Sequence, residues 1–208
     1  MNAELRKYVE ECVIPAYRAF DAAHQENHVT YVIEESLRLA KYYDVQEDMV
    51  YVIAAYHDLG LKEGRERHHL VSGEILLQDK ELKRWFTDYQ LRVMKEAVED
   101  HRASNSYEPR SVYGRIVAEA DRQIDKNVTL RRTIQYGLKN YPHLDKEGQY
   151  LRAVEHLLEK YADGGYLKLY IPESDNAKRL AEFRELISSP AALRIAFDKV
   201  YAEELKKK

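Results

Sequence analysis

Cysteine occurs once, at Cys12, in a chain of 208 residues. A single cysteine excludes any disulfide within the chain and fits a reducing compartment, so a cytoplasmic location is expected. Glycine and proline are also scarce, at 8 and 5 residues, which argues against an all-β chain whose many turns need both. No apolar run approaches the roughly 20 residues that a bilayer span requires. The first residues, Asn2 to Lys7, are polar and helical in flavour, unlike the apolar core of a signal peptide. Nor does one sign of charge dominate. The 33 Lys and Arg against 36 Asp and Glu leave a net charge of −3, so bulk electrostatics signals neither a nucleic-acid nor a membrane partner. No glycine-rich phosphate loop and no base-reading motif stands out.

What remains is the composition of a soluble globular protein, 45% hydrophobic and 33% charged, with enough length for one domain and a substantial core. The 17 tyrosines suit half-buried helix faces and helix–helix contacts.

Apolar residues recur at helical spacing along most of the chain, and the expected fold is all-α, a bundle of about nine or ten helices. Leu5, Val9, Cys12, Val13 and Ala16 predict a helix over 3–20, kinked or divided at Pro15. Val29, Val32, Ile33, Ser36, Leu37 and Ala40 predict a second over 27–43. The third, 47–59, is apolar nearly all round, which suggests a central position. A charged loop containing Gly64 follows, then a helix from about His68 to Leu77 and a short turn carrying Trp85. Thr87 and Gln90 form a capping-box signature for a helix that reaches His101. Ser111 to Lys126 reads as one helix and Asn127 to Lys139 as its continuation after a bend. Helices are predicted over 146–162, stopped by Gly164-Gly165, and then over 175–187 and 191–205, the last opened by Ser189-Pro190. The stretch 167–171 could be briefly extended. No repeat or linker interrupts the chain. It is expected to form a single domain over 1–208, with a core at about 24–125 on which the helices of 146–205 pack.

The chemistry concentrates where the third helix ends, at Ala54-Ala55-Tyr56-His57-Asp58-Leu59-Gly60. A helix that buries its faces gains nothing by ending in His-Asp unless those groups have partners, because an unpaired buried carboxylate costs several kcal/mol, roughly. A cationic metal satisfies both. Six of the eight histidines lie between positions 24 and 101, and several fall at predicted helix ends: His28 and His69 at starts, His57 and His101 at ends. Asp121 lies in a helix among apolar neighbours. Antiparallel packing would gather such ends around one cavity.

The order His, His-Asp, His, His, Asp resembles that of the HD superfamily of metal-dependent phosphohydrolases. The segments that carry the resemblance are His24-x3-His28-Val29-x2-Val32-Ile33, "AAYHDLG", His69-x3-Gly73-x-Ile75-Leu76, "EAVEDH" and "IVAEADRQID". The tail helix "AKRLAEFRELI" also looks like that of bacterial members. The resemblance implies an HD-domain helical bundle in which His28, His57, Asp58 and Asp121 ligate a metal. It further implies that His69 and His101 add a second ion, with Asp58 as the bridge. The implied cofactors are one or two divalent ions of Fe, Mn, Co, Ni, Zn or Mg. The implied activity is hydrolysis of a small phosphorylated metabolite, a nucleotide by preference, with Asp58 and Lys62 in catalytic positions. Two alternatives keep the same fold: a di-iron HD-type oxygenase, and a non-catalytic nucleotide-sensing module.

The sequence departs from the family pattern after the His-Asp segment, where Leu61 separates Gly60 from Lys62. Arg65 and Arg67 are expected to hold substrate phosphates. Asp125, four residues after Asp121, is expected on the same helix face, against a ligand or a sugar hydroxyl. His24 is given a supporting role. His69 is preferred to its neighbour His68 because of its spacing to Gly73, and Arg122, Glu99 and Asp100 are read as ordinary surface or supporting charges.

Overall fold

A computed structural model describes residues 1–20 and 26–206. The described residues are helical and contain no strand, with ten α-helices in order. These are α1 (Ala3–Tyr8), α2 (Glu26–Ala40), α3 (Glu47–Tyr56), α4 (His68–Gln78), α5 (Asp88–Asp100), α6 (Val112–Asp121), α7 (Lys126–Asn140), α8 (Lys146–Tyr161), α9 (Asn176–Ser188) and α10 (Pro190–Leu205). None is long and apolar enough to cross a membrane. His24 lies outside the described residues.

The chain divides into two compact units. One comprises Met1–Arg122 with Tyr170–Ser174, and the other Gln123–Leu169 with Asp175–Lys208. The first holds the His-Asp segment. At its centre is α3, in which every residue from Met49 to Tyr56 is buried. That follows from its sequence, which has no polar face after Asp48. Helices α2, α4, α5 and α6 pack against it, and Val52, Ile53, Met94, Val98 and Val117 fill the space between them. Each fully buried side chain of this size contributes about 1.5–3 kcal/mol of hydrophobic stabilisation.

The predicted helix over 3–20 changes pitch twice. Helix α1 widens into a π-turn at Val9–Val13 and then tightens into a 3-10 helix at Ile14–Ala19. Pro15, which offers no N–H, sits in the first turn of that last piece. Through these changes one stripe stays buried, Leu5, Val9, Val13 and Tyr17, every fourth residue. The N-terminal segment is thereby fixed to the core. Two tyrosine hydroxyls reinforce it: Tyr8 from this segment and Tyr56 from α3 both donate to Asp79 Oδ2, each at 2.6 Å.

The segment Tyr170–Ser174 belongs to the first unit through a buried carboxylate. Glu119, fully buried on α6, accepts from the Tyr170 amide at 2.7 Å and from the Ser174 hydroxyl. The region of 167–171 forms no regular element.

In the second unit α7, α8, α9 and α10 pack together around Leu157, Phe183 and Phe197. Phe183 meets Tyr161 edge-on and Phe197 stacks on Tyr201. Arg131 on α7 pairs with Glu203 and Glu204 on α10. Ser189 caps α10, accepting from the Ala192 amide, with Pro190 in the first turn.

The predicted helix over 111–126 stops at Asp121. Asp125 is the N-cap of α7, and its Oδ1 accepts from the amides of Asn127 and Val128 at 2.9 Å each. An aspartate bonds to free amides at a helix start more readily than it sits inside a helix. Asp125 therefore does not share a helix face with Asp121, and its carboxylate serves the backbone.

Candidate metal centre

Four helix ends and one turn supply the side chains. His28 lies in the first turn of α2, His57 and Asp58 follow α3, His68 opens α4, His101 closes α5 and Asp121 is the last residue of α6. All but His68 and Asp121 are at most 5% exposed.

The same local device recurs at three of the histidines. The Nδ1 of His57 lies 2.7 Å from the Ala54 carbonyl, that of His68 2.8 Å from Arg65, and that of His101 2.5 Å from Val98. Each is a bond back to the residue three positions earlier. A carbonyl only accepts, so Nδ1 carries the proton of the neutral ring and Nε2 keeps its lone pair. At α3 and α5 the bond also satisfies one of the carbonyls left over at a helix C-terminus. At these two helix ends one residue both closes the helix and aims an Nε2 lone pair into the cluster.

The aimed nitrogens converge in pairs. His57 Nε2 is 3.3 Å from His28 Nε2, and His68 Nε2 is 3.1 Å from His101 Nε2. Asp58 stands between the pairs. Its Oδ2 faces His57 at 3.4 Å and His28 at 3.7 Å, while its Oδ1 faces His68 at 3.4 Å and His101 at 3.5 Å. Asp121 Oδ1 joins the first pair, 3.3 Å from His28 and 3.7 Å from His57. Nitrogen and oxygen ligands held about 2.1 Å from one ion stand roughly 3.0–3.5 Å from each other in tetrahedral or octahedral arrangements. Both groups, His28–His57–Asp58 and Asp58–His68–His101, have the spacing to hold a cation.

The electrostatics agree with this donor set. Two neutral imidazoles whose lone pairs meet at 3.1 Å repel unless a proton or a metal lies between them. Burial resists a charge on His57, but Asp58, Asp121 and the Ala54 carbonyl outweigh it and raise the ring's pKa to about 9. Burial likewise resists ionisation of Asp58 and Asp121, and the surrounding histidines overcome it, holding both carboxyls well below the usual range. His68 goes the other way. Burial and the neighbouring His101 lower its pKa to about 4, so it is neutral at ordinary pH and available as a ligand.

His68, rather than His69, enters the cluster. The ring of His69 turns toward Arg102, whose guanidinium lies 3.4 Å from Nδ1. The reason lies at Gly60. A Cβ there would fall 2.1 Å from the His68 carbonyl oxygen and 2.7 Å from the Ser72 amide nitrogen, and the Gly60 amide donates to Ser72 Oγ at 2.8 Å. The turn after Asp58 therefore lies directly on the first turn of α4 and fixes which residue faces inward. Gly73, from which the spacing to His69 was taken, instead serves the packing of α4 on α5: its missing Cβ would be 3.0 Å from Glu99 Cγ.

Lys62 lies in the 3-10 helix Leu59–Glu63, and Arg65 and Arg67 in the loop before α4. Lys62 and Arg65 line a cavity of about 410 Å³ with Ala19, Phe20, Leu61 and Gly64. Lys62 and Arg67 border a second, of about 510 Å³, that also reaches Lys95 and Glu99. These cations border open cavities and are not among the clustered ligands.

Three charges read from sequence as surface or supporting groups are buried. Arg122 donates to the His101 carbonyl at 2.7 Å and lies 3.9 Å from Asp121 Oδ2, linking two residues of the cluster. Glu99 and Asp100 pair with Arg110 at 2.8 Å each, and the Arg110 amide donates to Asp100 Oδ2 at 2.7 Å. That network anchors the loop following His101. Its sequence signal is the pair of acids just before His101, which buried positions tolerate only with a counter-charge.

Residues 26–123 match the family described as HD domain. That match covers just under half of the chain and, with the clustered histidines and aspartates, is consistent with the HD superfamily of metal-dependent hydrolases. Neither a curated protein nor a solved structure matches the chain.

Proposed function

We propose that the protein is a metal-dependent phosphohydrolase that acts on a nucleotide or another small phosphorylated metabolite at a two-ion centre. The observation that carries this reading is Asp58, whose two carboxylate oxygens each face a different pair of histidine nitrogens. His28, His57, Asp121 and Asp58 Oδ2 would hold one divalent ion, and His68, His101 and Asp58 Oδ1 the other. Bound there, such ions supply a water acidic enough to ionise near neutral pH and positive charge against phosphoryl oxygens.

The chain's own groups do the rest. The back-bonds from Nδ1 hold the imidazoles of His57, His68 and His101 in the ligating tautomer, and burial keeps the site from rearranging. Lys62, Arg65 and Arg67 border two open cavities and would offer cations to a phosphorylated substrate. The donor set, imidazole with carboxylate, suits Mn, Fe, Co, Ni or Zn better than Mg. The exposed thiol of Cys12 fits the reducing environment of the cytoplasm, where such substrates are found.

The test is inorganic phosphate release from a panel of nucleotides and sugar phosphates, with Mn²⁺, Fe²⁺, Co²⁺ or Mg²⁺ added to metal-stripped protein. Turnover is expected with at least one pair, and its loss in His57→Ala and Asp58→Ala. Full activity in either variant would refute the reading. Oxygen consumption by the iron form without phosphate release would assign the centre to oxygenation instead.

A further inference from the structure

We propose that Tyr17 is a positioning residue of the metal centre, so that the N-terminal segment preceding the HD match is part of the site's machinery. The inference rests on the metal reading above and concerns what holds Asp58 in its bridging place.

The backbone shows why such a residue is needed. Helix α3 ends at Tyr56. Were the helix to continue, the Asp58 amide would donate to the Ala54 carbonyl. That carbonyl is taken by His57 Nδ1. His57 remains helical, but Asp58 departs, with φ −112° and ψ 5°. The departure leaves a buried amide on Asp58 and a late-helix carbonyl on Ala55, both in need of partners away from water.

Tyr17 supplies both. Its hydroxyl donates to the Ala55 carbonyl at 2.9 Å and accepts from the Asp58 amide at 3.2 Å. One phenol therefore ties together the residues two before and one after His57. The side chain is fully buried, and its ring centroid is 6.3 Å from that of His57. Its own position is fixed by the stripe Leu5, Val9, Val13 and Tyr17 and by an edge-on contact with Phe20 at 5.3 Å. Tyr17 lies nine residues before the start of the family match at residue 26. A ligand turn stitched by a side chain from outside the matched domain keeps its geometry only while that segment is docked. Phenylalanine keeps the ring and its burial but loses both bonds, leaving the Asp58 amide without a partner and free to swing the carboxylate.

Supporting groups behind a metal ligand typically change affinity by about 10–100-fold. Tyr17→Phe is therefore expected to raise the Kd for Co²⁺ by about 10–100-fold. This is measured by chelator competition on the full chain, together with a changed visible absorption of the Co²⁺ form. Tyr8→Phe is the matched control, since it removes one hydroxyl bond from the same segment, to Asp79, away from the ligand turn. It is expected to lower the melting temperature while leaving the Co²⁺ Kd within about twofold of wild type. An unchanged Kd in Tyr17→Phe, or an equal loss in Tyr8→Phe, overturns the proposal. A wild-type chain that binds no Co²⁺ instead overturns the metal reading on which it depends. Should Tyr17→Phe fail to fold, amide exchange in metal-stripped wild type decides: slow exchange at Asp58 supports the clamp, and rapid exchange there overturns it.

Discussion

His68 and His69 are adjacent, yet they are expected to behave in opposite ways when replaced by alanine. His68 Nε2 lies 3.1 Å from His101 Nε2 and 3.4 Å from Asp58 Oδ1, so His68→Ala removes one of three protein donors from the second group. Losing a mere supporting partner of a ligand weakens metal binding about 10–100-fold, and losing the ligand itself exceeds that. The expected change is more than about 100-fold, or about 2.7 kcal/mol, for that ion alone. Stability without metal should move little. The same substitution removes a buried nitrogen that faces another, which offsets part of the packing lost, and we expect a change within about 1 kcal/mol. The signature is therefore a variant that melts close to wild type in chelator but gains much less on adding Mn²⁺, with one tight site in place of two. His69→Ala loses the 3.4 Å approach to Arg102 and an edge-on ring contact with His68, but no nitrogen of the cluster, and should retain both sites. Metal content by elemental analysis and melting curves with and without Mn²⁺ read all of this. Two tight sites in His68→Ala, or one in His69→Ala, would refute the assignment.

Three further outcomes follow from other parts of the molecule. Gly60→Ala places a Cβ 2.1 Å from the His68 carbonyl; forcing the turn off α4 should destabilise by at least about 1–3 kcal/mol and weaken the second ion, and a urea midpoint equal to wild type would contradict the close approach. Arg110→Ala leaves the buried carboxylates of Glu99 and Asp100 without their shared cation; because Arg110 is itself 37% exposed, we expect about 2–3 kcal/mol, below the about 3–5 of a fully buried pair, and a loss under 1 kcal/mol in denaturant would contradict it. His156 in the second unit is held down to about 4 by burial, then by Lys160 and Arg152. An unfolded histidine titrates near 6.5, so between these values the unfolded chain binds more protons and stability falls as pH falls. After allowance for the half-exposed ring, the loss from pH 7 to 4.5 is about 1–2 kcal/mol. His156→Gln should flatten that part of the profile, and an unchanged slope would show that the ring titrates normally.

The physical reasons for what the sequence disclosed are local ones. Apolar periodicity placed the helices because each buries a face, and the capping box at Thr87 and Gln90 forms as written. The His-Asp segment stood out because a central apolar helix cannot end in two polar groups without partners. The choice between His68 and His69 was not local. It is made by Gly60, eight residues earlier, pressing on the first turn of α4. Spacing to Gly73 pointed the wrong way because that glycine answers to α5. The stop at Asp121 was hidden because 111–126 has helical periodicity throughout, and the stop showed only as an aspartate four residues on, equally good as an N-cap. Tyr17 was one of 17 tyrosines, and nothing in its neighbours distinguishes a phenol that bonds to a distant turn from one that fills a core. Arg122 was hidden in the same way, since it meets the carbonyl of His101, far away in sequence, as well as the carboxylate beside it.

In the proposed reaction Asp58 is shared between two ions and both are needed for hydrolysis. Titrating metal-stripped protein with Mn²⁺ while recording bound metal and phosphate release from an accepted substrate tests it most directly. We predict two tight equivalents per chain, with activity appearing as the second binds and absent in Asp58→Ala. Full activity at one equivalent, or turnover that persists in excess chelator, would contradict the account.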